Sequence, residues 1–333
     1  MNLSKGRVIF ASINSYTVLS ENGEEYYSVL SGSFSRDNRG LPAVGDLVRF
    51  KKNENGDSVI DQIIPRKSVI SRKSAGNIYS ENVLAANIDI MLILTALDET
   101  FSVRRIERFL VLAKSGGVTP VILLSKADKC DPISLAIHLT EAEEVAGDAQ
   151  VIEFSSITGT GVDKIEELLK EGVTACAVGL SGAGKSTLLN RLSGDELQSV
   201  KHVREFDSKG RHTTTSRQMF KLPMGAMFVD TPGIREVGLK GDTEAVEEVF
   251  DEIISFAEDC FFSDCTHVHE PSCAVIKAVE NGEISRERYD SYIKLRRESE
   301  NYKMRTETPQ EQKRSDKKLA RLIKTENKRK KKF

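Results

Sequence analysis

The sequence predicts a chain in three parts: an OB-like β-barrel over residues 1–66, an α/β domain over 67–240, and a metal-binding helical module with a basic tail over 241–333. Three observations carry that reading. Residues 179–187, GLSGAGKST, fit the phosphate-loop pattern G-x-x-x-x-G-K-[ST]. Strand-like and helix-like runs alternate on both sides of that loop, as a mostly parallel sheet with helices on both faces requires. Three cysteines and two histidines fall inside the short window Cys260–Cys273.

The first segment consists of short apolar runs separated by turn signals. Arg7–Ala11, Tyr16–Leu19 and Tyr26–Leu30 read as strands, with Asn22-Gly23 as a hairpin turn between the second and third. Val44–Phe50 and Val59–Ile64 follow, separated by Asn55-Gly56. Five short strands in this length suggest a small closed barrel of the OB type. Such barrels often bind oligonucleotides, but here seven basic residues stand against eight acidic ones through residue 65. The electrostatic footprint of independent nucleic-acid binding is therefore weak. A barrel that only docks on the next domain is the competing reading.

The α/β pattern begins with Asn87–Leu97, an apolar strand. Ser102 opens a helix through Lys114, closed by Gly116-Gly117. Val118–Leu124 is the next strand, and Asp131-Pro132 starts a helix through Val145. Gln150–Phe154 is a strand and Val162–Lys170 a helix. Val173–Val178 then leads into the phosphate loop, and Ser186–Leu192 continues from it as a helix whose N-terminus faces an anion. The last two strands are Thr214–Leu222 and Ala226–Val229.

The phosphate loop needs its residue types. Gly179, Gly182 and Gly184, with Leu180, Ser181 and Ala183 between them, let the backbone wrap a polyphosphate and turn its N–H groups inward. Lys185 reaches the outer phosphates, and the Ser186 hydroxyl, followed by Thr187, is placed to ligate Mg²⁺. Ser125-Lys126-Ala127-Asp128 follows a strand, where ligands bind in such sheets. A carboxylate at Asp128 accepts from the guanine N1–H and 2-amine, a donor pair that adenine lacks. The Lys126 stem can lie over the base plane. Ser155 and Ser156, in Ser155–Gly159, also follow a strand and can offer N–H groups to a base carbonyl. Asp230-Thr231-Pro232-Gly233 supplies an aspartate to hold Mg²⁺ through water and a glycine N–H to sense a terminal phosphate. Thr213 and Thr214, within Gly210–Thr215, can supply a threonine ligand to Mg²⁺.

The cysteine window has the spacing C-x4-C-x-H-x5-C. Cys260, Cys265, His267 and Cys273 make a complete tetrahedral shell for a structural zinc ion. A catalytic zinc would keep an open position. His269 is left outside the set. Helices are expected over Glu244–Ala257, Ala274–Asn281 and Ser285–Lys303. The tail from Lys313 to Phe333 carries eleven Lys and Arg against two acids. It reads either as a solvated tail or as a non-specific contact to an RNA backbone.

Across all 333 residues, 48 Lys and Arg meet 50 Asp and Glu, so net charge announces no partner. The start, MNLSKGRVIF, has no apolar signal core, and the longest apolar run, Ile90–Ala96, is too short to span a bilayer. A cytoplasmic, monomeric protein without membrane association is the expectation.

The nucleotide motifs resemble the boxes of translation-factor-type GTPases in permuted order. The base-reading segments 125–128 and 155–159 precede the phosphate loop, and D-T-P-G at 230–233 closes the domain. With a barrel before it and a Cys/His cluster after it, the chain resembles the ribosome-small-subunit-dependent GTPase A family (RsgA, also called YjeQ). GRHTTT at 210–215, DTPGIRE at 230–236 and the Cys/His spacing match that family's patterns. The resemblance covers essentially the whole chain. It implies a circularly permuted GTPase that binds GTP and GDP with Mg²⁺. It also implies hydrolysis stimulated by the small (30S) ribosomal subunit during late maturation, with the zinc module in contact with that subunit and the basic tail read as a contact to its ribosomal RNA. Two positions stand out. Ser125 occupies the usual place of an asparagine, and Ile234 the place where a glutamine orients water in Ras-like GTPases. Lys185, Asp230 and Gly233 are then the catalytic set, with His212 as the candidate for water positioning. Competing functions are a zinc-dependent RNA-binding scaffold in which nucleotide is structural, and a P-loop ATPase or kinase, against which Asp128 argues.

Overall fold

The computed structural model describes residues 3–12, 15–34, 40–53, 56–73, 81–194, 217–230 and 241–306. By internal contacts the chain divides into two compact units. One holds Met1–Arg72 and Glu81–Gly238, the other Lys73–Ser80 and Leu239–Phe333.

The first unit begins with strands β1 (Ser4–Ala11), β2 (Tyr16–Ser20), β3 (Glu25–Leu30), β4 (Leu47–Lys51) and β5 (Ser58–Ile63). They run β1-β2-β3-β5-β4, and β4 pairs back onto β1, closing the barrel. Only the β3–β5 pair is parallel among these pairings. That is the five-stranded Greek-key barrel of the OB type. Strand alternation sends Val8, Val18, Val48, Phe50 and Ile60 inward with Tyr16 and Ile63. Gly6 sits where β1 pairs with both β2 and β4, and a Cβ there would lie 2.5 Å from Val18. The barrel wall closes tightly because that position has no side chain.

Next come β6 (Val69–Lys73) and β7 (Glu81–Ala86), which pair as a separate two-stranded sheet. The sequence pattern did not anticipate them, because neither run is long or regular enough to stand out. The main sheet holds β8 (Ile90–Ala96), β9 (Thr119–Ser125), β10 (Gln150–Phe154), β11 (Thr174–Gly179), β12 (Arg217–Lys221) and β13 (Met227–Asp230). The order is β10-β9-β8-β11-β13-β12, parallel except for β12. The strand expected from Asn87 starts at Ile90, since Asn87 takes a left-handed turn with φ 54°. The helices are α1 (Val103–Ser115), α2 (Pro132–Ala146), α3 (Val162–Leu168) and α4 (Lys185–Ser193). Asp131 caps α2 by accepting from the N–H groups of Ile133 and Ser134, as its position before a proline suggests. Ser102 precedes α1 but makes no side-chain cap, so the backbone alone starts that helix.

Successive strand residues bury on opposite faces. Leu92, Leu94, Val121, Leu123, Ile152 and Phe154 share one core with Ile165 of α3 and Leu188 of α4. Met91, Ile93, Ile122 and Leu124 are buried on the other parity, where α1 and α2 pack on β8, β9 and β10. Removing one of these leucines to alanine would cost about 2–5 kcal/mol by cavity formation.

The barrel does not hang from a linker. Strand β12 pairs with β13 on one side and with β1 on the other, through Phe10↔Gln218 and Ala11↔Arg217, giving one continuous sheet of 11 strands. Arg7 of the barrel donates to the Thr174 hydroxyl at 2.6 Å, and burial lowers its pKa against the opposing pull of Asp89. Asn87 donates to the Gly45 carbonyl at 3.0 Å and accepts from the Lys67 N–H at 2.9 Å. Gly45 has φ 92°, and a Cβ there would lie 2.0 Å from the Ala86 carbonyl oxygen. The loop into β4 therefore meets the strand before β8 backbone to backbone.

The second unit is helical: α5 (Thr243–Val249), α6 (Asp251–Ala257), α7 (Ala274–Glu280) and α8 (Arg286–Thr306). One helix over Glu244–Ala257 was expected, but Phe250 (φ −119°, ψ 40°) breaks it in two. Its ring is buried against Tyr292 at 5.6 Å, with the Arg288 guanidinium 4.1 Å over the ring. Packing of that aromatic outweighs helix continuity, which a hydrophobicity pattern does not register.

Candidate functional site

Five parallel strands bring the sequence motifs to one edge of the sheet. Phe154 is level with Ser125, Ser125 with Ala96, and Gly179 with Leu94. Val229, just before Asp230, is level with Cys176. The segments after β9 and β10 therefore lie together. The loop after β11 lies beyond β8 from them, and Asp230 lies at the end of β13 beside that loop. Chain order puts the segments 125–128 and 155–159 before the phosphate loop, and sheet order leaves only β8 between them and it.

The loop between β11 and α4 is shaped by glycine. Gly179, Gly182 and Gly184 have φ of 143°, 80° and 93°, a region costly to other residues. A Cβ on Gly179 would lie 2.3 Å from the Leu94 carbonyl oxygen, so the loop starts against the backbone of β8. Ala183 is buried, while Ser181, Ser186 and Thr187 are exposed. The first amides of α4 have no partner within the helix and carry its positive end. Lys185 folds back over the loop, donating to the carbonyls of Gly179 at 2.7 Å and Leu180 at 2.5 Å. These features fit a polyphosphate: a glycine-shaped cradle, a helix start and a cation held across both. The Ser186 hydroxyl at the helix start and the exposed Asp230 at the next strand's end fit a hard cation.

Ser125 stands where an asparagine was the ordinary expectation, and it is buried. Its hydroxyl donates to the Ala183 carbonyl at 2.7 Å. The shorter side chain thus ties the segment after β9 to the phosphate loop. Lys126 sits in the left-handed region at φ 63° and opens the short 3-10 turn Ala127–Lys129. Asp128 accepts from the Ser155 hydroxyl at 2.6 Å. Ser155, fully buried, accepts in turn from the N–H groups of Ile157 and Thr158 at 3.2 Å each. One hydroxyl thus fixes the loop after β10, where Ser156 is half-buried, and aims the carboxylate of the loop after β9. Sequence spacing alone did not reveal that link.

The structure adds Asp98, just past β8. Its carboxylate meets the Lys126 ammonium at 2.6 Å and accepts from the Thr100 N–H and hydroxyl at 2.9 and 2.6 Å. The Lys126 hydrogen bond, with those from Thr100, pushes the Asp98 carboxyl down to about 2, so it stays ionised at any physiological pH. The rule that ligand-side residues follow parallel strands would have found it; its lack of a named motif hid it. His212, Thr213, Thr214, Gly233 and Ile234 lie outside the described residues, as does the tail from Lys313.

In the second unit Cys260, Cys265, His267 and Cys273 converge, with ligand atoms all within 4.8 Å of one another. The Cys260–Cys273 sulfurs are 3.8 Å apart, and His267 Nδ1 lies 3.6 and 3.5 Å from them. A tetrahedral zinc with ordinary Zn–S and Zn–N bonds requires roughly 3.8 Å between sulfurs and about 3.6 Å from sulfur to nitrogen. The residues fit that ion. His267 takes φ 62° to aim its ring inward, and its carbonyl accepts from the Tyr289 hydroxyl at 2.6 Å. Glu270 gathers the N–H groups of Thr266, Val268 and His269 and the Thr266 hydroxyl. Those bonds, the Thr266 hydroxyl first, hold its carboxyl well below the usual range. Glu270 and Tyr289 fix the knuckle around the ligands, and spacing alone marked neither.

Comparison with known proteins agrees with this geometry. The family model "RsgA GTPase" matches residues 63–240. A "Small ribosomal subunit biogenesis GTPase RsgA" of Methanosarcina acetivorans is 42% identical over 80% of this chain and 72% of its own length. Its namesake in Leptospira interrogans is 37% identical over 96% of this chain and 90% of its own. The crystal structure of YjeQ from Thermotoga maritima superposes with a TM-score of 0.68 at 32% identity, covering 90% of this chain and 99% of that one. YloQ, described as a circularly permuted GTPase, gives 0.64 at 25% identity.

Proposed function

The chain belongs to the RsgA GTPase family, and from that premise we infer that it hydrolyses GTP on the small ribosomal subunit during late assembly of that subunit. The single observation that carries the reading is the sheet edge where Asp128, Ser125 and the glycine-shaped loop with Lys185 meet. In this reading the chain folds as three modules, 1–66, 67–240 and 241–333. The loop amides of Gly179–Ser186 with Lys185 hold the phosphates. Asp128 takes the guanine N1–H and 2-amine, and Ser156 with its neighbours meets the base carbonyl. Ser186 and a threonine of 213–215 would hold Mg²⁺, with Asp230 outside, and the ion when bound would supply charge neutralisation on the phosphates. Gly233 senses the terminal phosphate. Ile234 leaves water positioning to His212 or to the partner. Cys260, Cys265, His267 and Cys273 hold one structural zinc.

The segment 230–233 leads in sequence directly to the zinc module. Loss of a phosphate contact there is the signal passed to the RNA-facing part, with ribosomal RNA as the surface met and the basic tail as a salt-sensitive contact. The protein acts as a cytoplasmic monomer. Among the described residues no helix is long and apolar enough to cross a membrane.

The test is phosphate release from GTP, with ATP as control, alone and with purified small or large ribosomal subunits. Strong stimulation by the small subunit only is the expected result. No stimulation by either would remove the ribosomal assignment and bring forward the zinc-dependent scaffold. Asp128→Asn should lower guanine nucleotide affinity by about 100-fold or more, because the amide keeps one acceptor and turns a donor toward the donors of the base edge. Unchanged guanine selectivity in a competition assay would remove Asp128 from that role.

A further inference from the structure

We propose that Asp98 is a positioning residue for the nucleotide base: it holds the Lys126 side chain extended across the base site before the ligand arrives. The proposal rests on the nucleotide-site reading above.

The geometry is specific. Asp98 follows β8, which lies between β9 and β11 in the sheet. Lys126 follows β9, and Ser125 is level with Ala96 of β8. To reach Asp98, the lysine stem must run from the end of β9 toward the end of β8. That path leads from the loop carrying Asp128 toward the phosphate loop. Two features fix its ends. The Lys126 backbone is locked in a left-handed turn, φ 63°, and its ammonium is 2.6 Å from Asp98 Oδ2. Asp98 is itself fixed, because its other oxygen accepts twice from Thr100. Both side chains are only partly exposed, 30% for Lys126 and 25% for Asp98, so water screens the pair incompletely.

A free lysine carries large rotamer entropy, which a ligand contacting its stem must remove on binding. Asp98 removes part of it in the ligand-free protein. The stem offers methylene surface to a base and no donor or acceptor to its edge. Asp98 therefore sets affinity for purine nucleotides generally, whereas Asp128 sets which purine is chosen.

The test uses the full chain and titrates GDP and IDP, whose base lacks the 2-amine, against wild type, Asp98→Asn, Lys126→Met and the double variant. Asparagine keeps an acceptor for Thr100 and removes the charge and the acceptor that faces Lys126. Methionine keeps a stem and removes the ammonium. Asp98→Asn should weaken GDP and IDP by the same factor, roughly 3- to 10-fold, and leave their ratio unchanged. In the Lys126→Met background it should add nothing. The ligand-free melting temperature should fall by no more than a few degrees, given the retained Thr100 bonds. Wild-type affinity in Asp98→Asn would overturn the proposal. So would an undiminished effect in the Lys126→Met background, which would place the action in the Thr100 turn instead. If Asp128→Asn alters guanine preference while Asp98→Asn changes nothing, only this proposal falls. If Asp128→Asn also leaves guanine preference unchanged, the base-site reading falls with it.

Discussion

Cys273→Ser will strip the zinc ion from the 260–273 knuckle and unfold that segment, while GDP binding persists. Wild-type protein should carry a single ion in the Cys260, Cys265, His267, Cys273 set. Structural zinc contributes on the order of 10 kcal/mol to folding its own segment, far above any other interaction there. Serine is an informative replacement. Cys273 also caps α7, its sulfur accepting from the Ile276 N–H at 3.5 Å, and serine is a good N-cap. The variant thus removes a metal ligand but not the helix cap. Metal analysis should fall from one zinc per chain toward none, and amide exchange should rise across 260–273. Phe154, Leu188 and the rest of the sheet core contain no ligand of this cluster, so nucleotide affinity should hold. Full zinc content in the variant would take Cys273 out of the ligand set.

Lys185→Ala should lower GTP hydrolysis by about 100-fold or more, measured with small subunits present. Removing one preorganised charge from a developing anion costs typically 2.7–4 kcal/mol in the transition state. In the ligand-free protein Lys185 donates to Gly179 and Leu180 instead, so it also braces the loop. The two roles separate by measurement. Two partly exposed hydrogen bonds are worth about 1 kcal/mol each, so ligand-free melting should drop by no more than a few degrees. A large melting loss with hydrolysis intact would make Lys185 a loop brace and nothing more.

Much of this was legible in the sequence because the signals are local. G-x-x-x-x-G-K-S requires only a strand, a turn and a helix start, and 179–186 supplies all three within one stretch. The four clustered Cys/His residues lie within one short window, so their spacing already encodes their meeting. The OB-type barrel was readable from five short strands and its turn residues. Long-range features were hidden. The β6–β7 pair, the break at Phe250 and the bonds of Ser125 and Ser155 depend on partners that residue type does not name. Asp98 is 28 residues from Lys126, and no motif links them.

The sequence by itself marked the candidate chemistry: a phosphate-loop motif, an aspartate expected to read guanine, a permuted order of boxes and four Cys/His residues with metal-ligand spacing. Each follows from side-chain type and short spacing, which survive without coordinates. Only the tertiary structure decided how those groups are braced. The serine in the usual place of an asparagine is braced on the phosphate loop by donating its hydroxyl to the Ala183 carbonyl. The barrel joins the nucleotide domain as one sheet because β12 has a free edge that β1 completes. Strand neighbours are set by hydrogen bonds across the sheet, not by distance along the chain, so no local pattern carries them.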